Sequence, residues 1–246
     1  MSHIERLVAR QLEYCELRRR REEQEAALDT PPTGPPRPPP APGPCILVSR
    51  ERGSGGGAIA RRVGERLGWQ VFDREIVEEI ARRAHIRQQL VESVDEHVRS
   101  RWRLHLRTPA TDEPLGWRDY LHQLQEIILA LGHHGHVVLV GRGAQWILPH
   151  EGSLRVRVIA PPEARAQRVV ASDGLTLEEA RQVLEETDHQ RVVFQKRAFG
   201  QDPRDPRAYD LVINTGELDL NTAVKLVLEA AEGRLGVRPE ATACSL

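Results

Sequence analysis

The stretch from Cys45 to Gly68, CILVSRERGSGGGAIARRVGERLG, restricts the fold of this chain more than any other. Cys45 to Val48 is an apolar run long enough for a buried strand. Ser49 to Arg52 is a polar turn, and Gly53-Ser54-Gly55-Gly56-Gly57 follows. Ile59, Val63 and Leu67 then recur at the spacing of one helix face. Glycines allow positive φ and keep Cβ atoms away from an approaching ligand. The N–H groups and dipole of a helix start favour an anion. Strand, glycine loop and helix in this order point to phosphate binding; the plainer reading is a glycine-rich turn with no ligand.

Two templates compete. Gly53, Gly55 and Ala58 fit the GxGxxG/A of dinucleotide-binding folds, and Asp73 stands near the offset of about 20 residues where that fold has an acid. There, however, the first glycine follows the strand directly. Here Arg50, Glu51 and Arg52 intervene, which is the spacing of a phosphate loop. In GxxxxGK[ST] the lysine neutralises phosphate and the hydroxyl holds Mg²⁺. With Gly55 as the last motif glycine, Gly56 replaces that lysine, Gly57 replaces the hydroxyl residue, and Arg50 replaces the first glycine.

The chain has 246 residues, 39% hydrophobic and 29% charged, with net charge −1, which fits one sizeable domain plus an appendage. Near-neutral charge gives no case for nucleic acid as a partner. No apolar run reaches membrane-spanning length, and the N-terminus lacks a signal-peptide core. Cys15, Cys45 and Cys244 form no disulfide or zinc framework, so a cytoplasmic setting is expected. His133, His134 and His136 surround a turn without further ligands in view, and no metal site is expected there.

Residues 1–30 read as an N-terminal helical arm with Ile4, Leu7, Val8, Leu12 and Cys15 on one stripe. The stripe has to bury on its own domain or on a second copy, as a homodimer. Residues 31–44 hold nine of the seventeen prolines and read as a stiff linker. The main domain is expected over 45–235, with a mobile tail over 236–246. Within it, strands are expected at 69–72, 136–140, 154–160 and 209–214. Helices are expected at 75–84, 87–104, 117–132, 161–172, 176–198 and 219–233, and a loop at 107–116. Thr176 and Glu179 form a capping box. Arg155 and Arg157, within a strand, imply that one of its faces meets solvent or a ligand. Alternating strands and helices give an α/β fold, a parallel sheet with helices on both faces. Ligands of such sheets bind beyond the strand C-terminal ends. The glycine loop, Asp73 and Gly141-Arg142-Gly143 all fall at such ends.

From about Ile46 to Leu228 the sequence resembles the cytidylate kinase-like family of nucleoside monophosphate kinases. The resemblance rests on SRERGSGGGAIARRVGERLG, VFDREIVEEIA, VLVGRGAQWILP, TDHQRVVFQKRAFG and YDLVINT, in that order. It implies a three-layer P-loop kinase fold with a helical lid, ATP and Mg²⁺ as cofactors, and a nucleoside monophosphate, CMP or dCMP, as acceptor. It implies that Arg52, Gly53, Ser54, Gly55, Gly56, Gly57 and Ala58 meet the donor's phosphates and that Asp73 and Arg142 meet the acceptor. Asp188, Arg191 and Arg197 would belong to the lid and share the catalytic work with Arg142, with Arg165 and Arg168 as further contacts. Arginine suits these roles because its planar fork donates paired hydrogen bonds to phosphate. The chain departs from the family at Gly56 and Gly57, and again at Gly143, where the family carries an acid near the base. Arg50, Arg52 and Arg61 stand around the loop as replacements for the missing charge. The competing readings are a nucleotide-binding regulatory module without turnover and, through the dinucleotide template, an oxidoreductase.

Overall fold

The computed structural model describes residues 2–28, 43–94, 99 and 114–238. Most of the expected proline-rich linker and of the loop over 107–116 lies outside the described residues. So do nearly all of the expected helix beyond 94 and the tail from 239. The five strands are β1 (Cys45–Arg50), β2 (Gln70–Phe72), β3 (Val137–Val140), β4 (Ser153–Ile159) and β5 (Leu211–Asn214). The helices are α1 (His3–Leu28), α2 (Gly56–Leu67), α3 (Arg74–Arg82), α4 (Ala84–Glu92), α5 (Leu115–His134), α6 (Ala144–Ile147), α7 (Pro162–Asp173), α8 (Leu177–Phe199) and α9 (Leu220–Leu235).

All strand pairs are parallel, in the order β2-β3-β1-β4-β5. A parallel sheet needs cover on both faces, and the alternation along β1 shows how it gets it. Ile46 and Val48 join Val138, Val140, Leu154, Val156 and Val158 in one core, closed by Ile59, Val63 and Leu67 of α2 and Val224 and Val227 of α9. Cys45 and Leu47 join Phe72, Val137 and Leu139 in the other, closed by residues of α3, α4 and α5. The three-layer architecture is therefore the expected one.

The arm packs on its own chain. Val8 is buried, Ile4 and Leu12 lie against the second core, and the buried Gln11 Nε2 donates to Gly135 O at 2.9 Å. These residues leave little apolar stripe for a second copy, although Leu17 farther along is exposed.

Several boundaries differ from expectation. The helix that starts after Asp73 breaks at Arg83, whose extended backbone (φ −93°, ψ 90°) separates α3 from α4. Helix α5 starts at Leu115, inside the expected loop, and the one-turn α6 has no counterpart in the sequence pattern. On β4, Arg155 and Arg157 are both buried, 6% and 8% exposed. Arg155 is turned away from solvent and held by the protein: its Nη2 donates to Leu148 O at 2.8 Å and its Nη1 lies 2.6 Å from His150 Nε2. The histidines near the turn also have structural contacts. His134 Nε2 lies 2.7 Å from Ser93 Oγ, and His136 sits against the rings of Tyr14 and Trp69.

Candidate active site

β1 delivers the chain into the glycine loop at its C-terminal end. Gly53 (φ 74°) and Gly55 (φ 80°) both take the left-handed conformation, and Gly55 caps α2 without a side chain. A helix start has N–H groups that no earlier turn can accept. Among the described residues, the N–H groups of Gly56, Gly57 and Ala58 have no protein acceptor; the first helical bond is Ile59 N to Gly55 O at 3.0 Å. Three main-chain donors thus sit beside the strand ends, the arrangement that holds phosphate.

Helices α7 and α8 are fastened to the loop by charge. Arg52 N–H donates to Asp188 Oδ1 at 2.9 Å, and Asp188 Oδ2 accepts from Arg165. Arg165 Nη1 also donates to Arg52 O at 3.2 Å, and Arg191 Nη1 to Arg50 O at 3.0 Å. Arg168 Nη1 donates to Thr215 Oγ1 at 3.0 Å, and the fully buried Thr215 Oγ1 donates to Ser54 O at 2.7 Å. The loop's carbonyls are taken by arginines and a hydroxyl, which leaves its amides for another partner. A Cβ on Gly53 would stand 2.8 Å from Arg165 O, so only glycine allows this close docking.

Beside the loop lies a cavity of about 180 Å³. Its walls include six arginines, Arg50, Arg74, Arg142, Arg157, Arg191 and Arg204, against two carboxylates, Glu51 and Asp188. Both acids already have partners: Glu51 Oε2 accepts from Ala160 N at 3.2 Å and lies 3.6 Å from Arg165, while Asp188 serves Arg52 N–H and Arg165. The cavity is strongly cationic in a nearly neutral chain. Arg142 has φ 54°, rare for a residue with a side chain, and such strain concentrates at functional positions. Its guanidinium pairs with Glu78 and lies 4.9 Å from the Phe194 ring centroid, while its buried Nε has no partner. Burial first, and then neighbouring arginines, push Arg142 and Arg191 down to about 10. Anions relieve that kind of stress.

Arg142, Asp188 and Arg191 therefore meet at one cavity with the strand-end residues Ser49 to Glu51; Gly53 to Ala58 are not in its lining and adjoin it through Arg50, whose stem lies against Gly56. Other expected residues lie elsewhere. Asp73 caps α3 by accepting from Ile76 N at 3.1 Å and acts on Arg50 through space. The Arg52 side chain turns outward to Asp173 at 2.5 Å. Arg61 lies beside Gly57, and Arg197 stacks over Trp117 with its Cζ 4.2 Å from the ring centroid, outside the cavity lining. At Gly143 (φ 69°) a Cβ would overlap the Phe199 ring, so the acid of the family pattern has no room. Arg74, Arg157, Arg204 and Thr215 are absent from the site read off the sequence. The alternation of β4 carried a signal for Arg157; nothing in the pattern marks Arg204.

The chain matches the model of the cytidylate kinase-like family over residues 45–217. The chain belongs to this family. The cytidylate kinase of Pyrobaculum arsenaticum is 35% identical over 96 residues, 39% of this chain and 52% of that protein. The cytidylate kinase of Staphylothermus marinus is 26% identical over 191 residues, 76% of this chain and 96% of that one. For the relatives from Pyrobaculum arsenaticum, Methanopyrus kandleri and Thermococcus sibiricus, the chain spans about half of the relative's length. A crystal structure of an uncharacterized protein from Eubacterium ventriosum superposes with a TM-score of 0.61 at 21% identity, covering 78% of this chain and 99% of that one. The family match covers all five strands, both glycine-bearing loops and the α7–α8 hairpin.

Proposed function

We propose that this cytidylate kinase-like chain transfers a phosphoryl group from ATP to a nucleoside monophosphate, CMP or dCMP. The observation that carries the reading is the convergence of Arg50, Arg142 and Arg191 on one cavity, with the Arg50 stem packed against Gly56, where the amides of the glycine loop have no protein acceptor among the described residues. Phosphoryl transfer asks a protein for positioning and charge neutralisation more than for covalent chemistry. The amides of Gly56, Gly57 and Ala58 would hold the donor's phosphates. Arg142 and Arg191 would draw the acceptor phosphate and the transferred group together, and α8, already against the loop, would exclude water. The names of the Pyrobaculum and Staphylothermus relatives supply the choice of cytidine nucleotides.

ATP fits these residues; a protein-held Mg²⁺ does not. Gly57 has no hydroxyl, Glu51 and Asp188 are engaged by arginines and amides, and no group of three or more metal-binding side chains occurs among the described residues. Any Mg²⁺ would arrive on the nucleotide.

The second reading, a nucleotide sensor without turnover, draws on one observation. A Cβ at Gly56, the lysine position, would stand 2.6 Å from Arg50 Cβ, so this loop as packed has no place for that lysine. Purified protein with Mg-ATP and a panel of nucleoside monophosphates separates the readings. ADP formation that depends on CMP or dCMP is the expected result. ATP binding without turnover would support the sensor, and NAD(P) binding alone would support the oxidoreductase.

A further inference from the structure

The loop lacks its lysine, yet the cavity contains an arginine whose side chain, among the described residues, makes no hydrogen bond or ion pair and is drawn only at longer range by Glu75 and Asp73. Arg50 ends β1, and its stem runs past the first turn of α2: a Cβ built on Gly56 would lie 2.6 Å from Arg50 Cβ and 3.2 Å from its Cγ. Its guanidinium reaches across to the Gly-Arg-Gly turn, with Nη1 directly over Gly141, where a Cβ would overlap it. The side chain therefore bridges the glycine loop and the turn that bears Arg142. It lines the cavity, and among the described residues it makes no hydrogen bond or ion-pair contact. Each other arginine of the lining has such a contact: Arg74 and Arg142 with Glu78, Arg157 with Ser49, Arg191 with Asp188, Arg204 with Asp202. A half-buried guanidinium that no hydrogen bond completes, with Glu75 and Asp73 acting only through space, gains from an anion that docks on it.

We infer that Arg50 takes over the phosphate-neutralising work of the absent loop lysine, and that Gly56 is glycine because the Arg50 stem occupies the lysine's place. The charge has moved from the helix start to the strand end and approaches the same phosphates from the opposite side of the loop. The two positions are one device: arginine at position 50 with glycine at 56, or glycine at 50 with the motif lysine at 56. Position 50 is the first glycine of the general phosphate-loop pattern, which has no side chain to compete with the lysine. This inference rests on the nucleotide-phosphate reading above and names the group that would neutralise the donor.

The test compares wild type, Arg50→Ala, Gly56→Lys and Arg50→Gly/Gly56→Lys, with Arg50→Lys as the conservative variant; the double variant carries glycine at position 50 because alanine would keep the Cβ that a side chain at Gly56 meets. Calorimetry measures binding of ATP and of inorganic pyrophosphate, and thermal melting reports folding. Arg50→Ala is expected to lose at least tenfold in affinity for both probes without a drop in melting temperature. Arg50→Lys should keep part of the affinity. Gly56→Lys alone should melt lower, because its Cβ collides with Arg50. The double variant should recover both melting temperature and affinity, an outcome that a merely structural Arg50 would not give. Wild-type affinity in Arg50→Ala overturns the inference. So does a folded double variant that binds no better than Arg50→Ala. If wild type binds pyrophosphate but not ATP, the nucleotide reading fails and the comparison is scored with pyrophosphate alone. If wild type binds neither, both fall.

Discussion

Arg155 and Arg157 stand two residues apart on the same face of β4, and they do different work. Arg155 pairs in register with Leu47 and lies toward the interior of the sheet, where its guanidinium meets the Leu148 carbonyl and the His150 ring. Arg157 pairs with Ser49, nearer the strand C-terminal ends. It donates to Ser49 Oγ at 2.9 Å, lies 5.7 Å from the Tyr209 ring centroid, and opens onto the cavity. Both are buried to about the same degree. The difference is where they are held: Arg155 by the Leu148 carbonyl and the His150 ring away from the cavity, with its Nε left without a partner, and Arg157 by Ser49 and, at 3.7 Å, Glu51 on the cavity wall among further arginines. Burial alone does not mark a functional arginine, but position along a parallel strand, together with the neighbours' charge, does.

The most severe test of that contrast is Arg142→Ala. This side chain joins the cavity from the Gly-Arg-Gly turn, and the proposed chemistry leans on its charge. Removing a preorganised charge donor from a phosphoryl-transfer site costs about 3 kcal/mol of transition-state stabilisation. Turnover with CMP should fall by two orders of magnitude or more, while the melting temperature stays close to wild type. A tenfold loss or less would show that the cavity arginines share the work too evenly for the contrast to hold.

Arg155→Ala should do the reverse. It leaves the Leu148 carbonyl without its donor and opens space under β4. Loss of a charge-assisted buried hydrogen bond costs about 1.5–3 kcal/mol, partly offset because a buried cation is also removed. Denaturant unfolding should show a loss of about 2 kcal/mol, with pyrophosphate affinity unchanged in the folded protein. If affinity fell and stability did not, Arg155 would belong with the cavity after all.

The contrast also shows how far sequence reading reached. The apolar runs of β1 and β3 and the four-residue spacing of α2 made the layered fold legible, because burial on both faces leaves a simple pattern. The capping box at Thr176 and Glu179 was legible for the same reason, being local, and both of its hydrogen bonds form. The arginines are harder. Sequence places Arg155 and Arg157 on one face but cannot say where along the sheet each meets its neighbours. That depends on the register of β4 against β1, which no local signal sets. Arg197 fits the lid pattern as well as Arg191 does, yet six positions along a helix is about 240° farther round the axis. The exclusion between Arg50 and a side chain at Gly56 is equally non-local, since it exists only once β1 and α2 pack.

The pH response offers a gentler probe. Arg142 and Arg191, at about 10, sit below the free side chain, chiefly through burial. Above about pH 10 the unliganded fold therefore holds fewer protons than the unfolded chain, so this pair favours folding increasingly as pH rises toward the range where a free guanidinium titrates. Anion binding runs the other way, because it needs the charged forms. Pyrophosphate affinity should be flat from about pH 7 to 9, once the ligand's own ionisation is corrected, and should fall by up to about tenfold per unit, per group, above 10. A corrected fall between about pH 7 and 9 would point to histidine or an amine as the phosphate partner instead.

The smallest expected effect belongs to Arg197→Ala. The family pattern sets Arg197 to work alongside Arg191, but its guanidinium lies on the Trp117 ring, on the part of α8 that faces α5. An exposed cation–π contact is worth about 0.5–1 kcal/mol. Loss of that contact should lower stability by about that much, and turnover with CMP should stay within twofold of wild type. The measurement sharpens the comparison because Arg191 and Arg197 share a helix and a chemistry and differ in direction. Should Arg197→Ala cut turnover tenfold at unchanged stability, the lid must rotate or shift during the reaction to bring this residue over the cavity. The present arrangement would then be a resting state, with Arg197 parked on Trp117 until nucleotide binds.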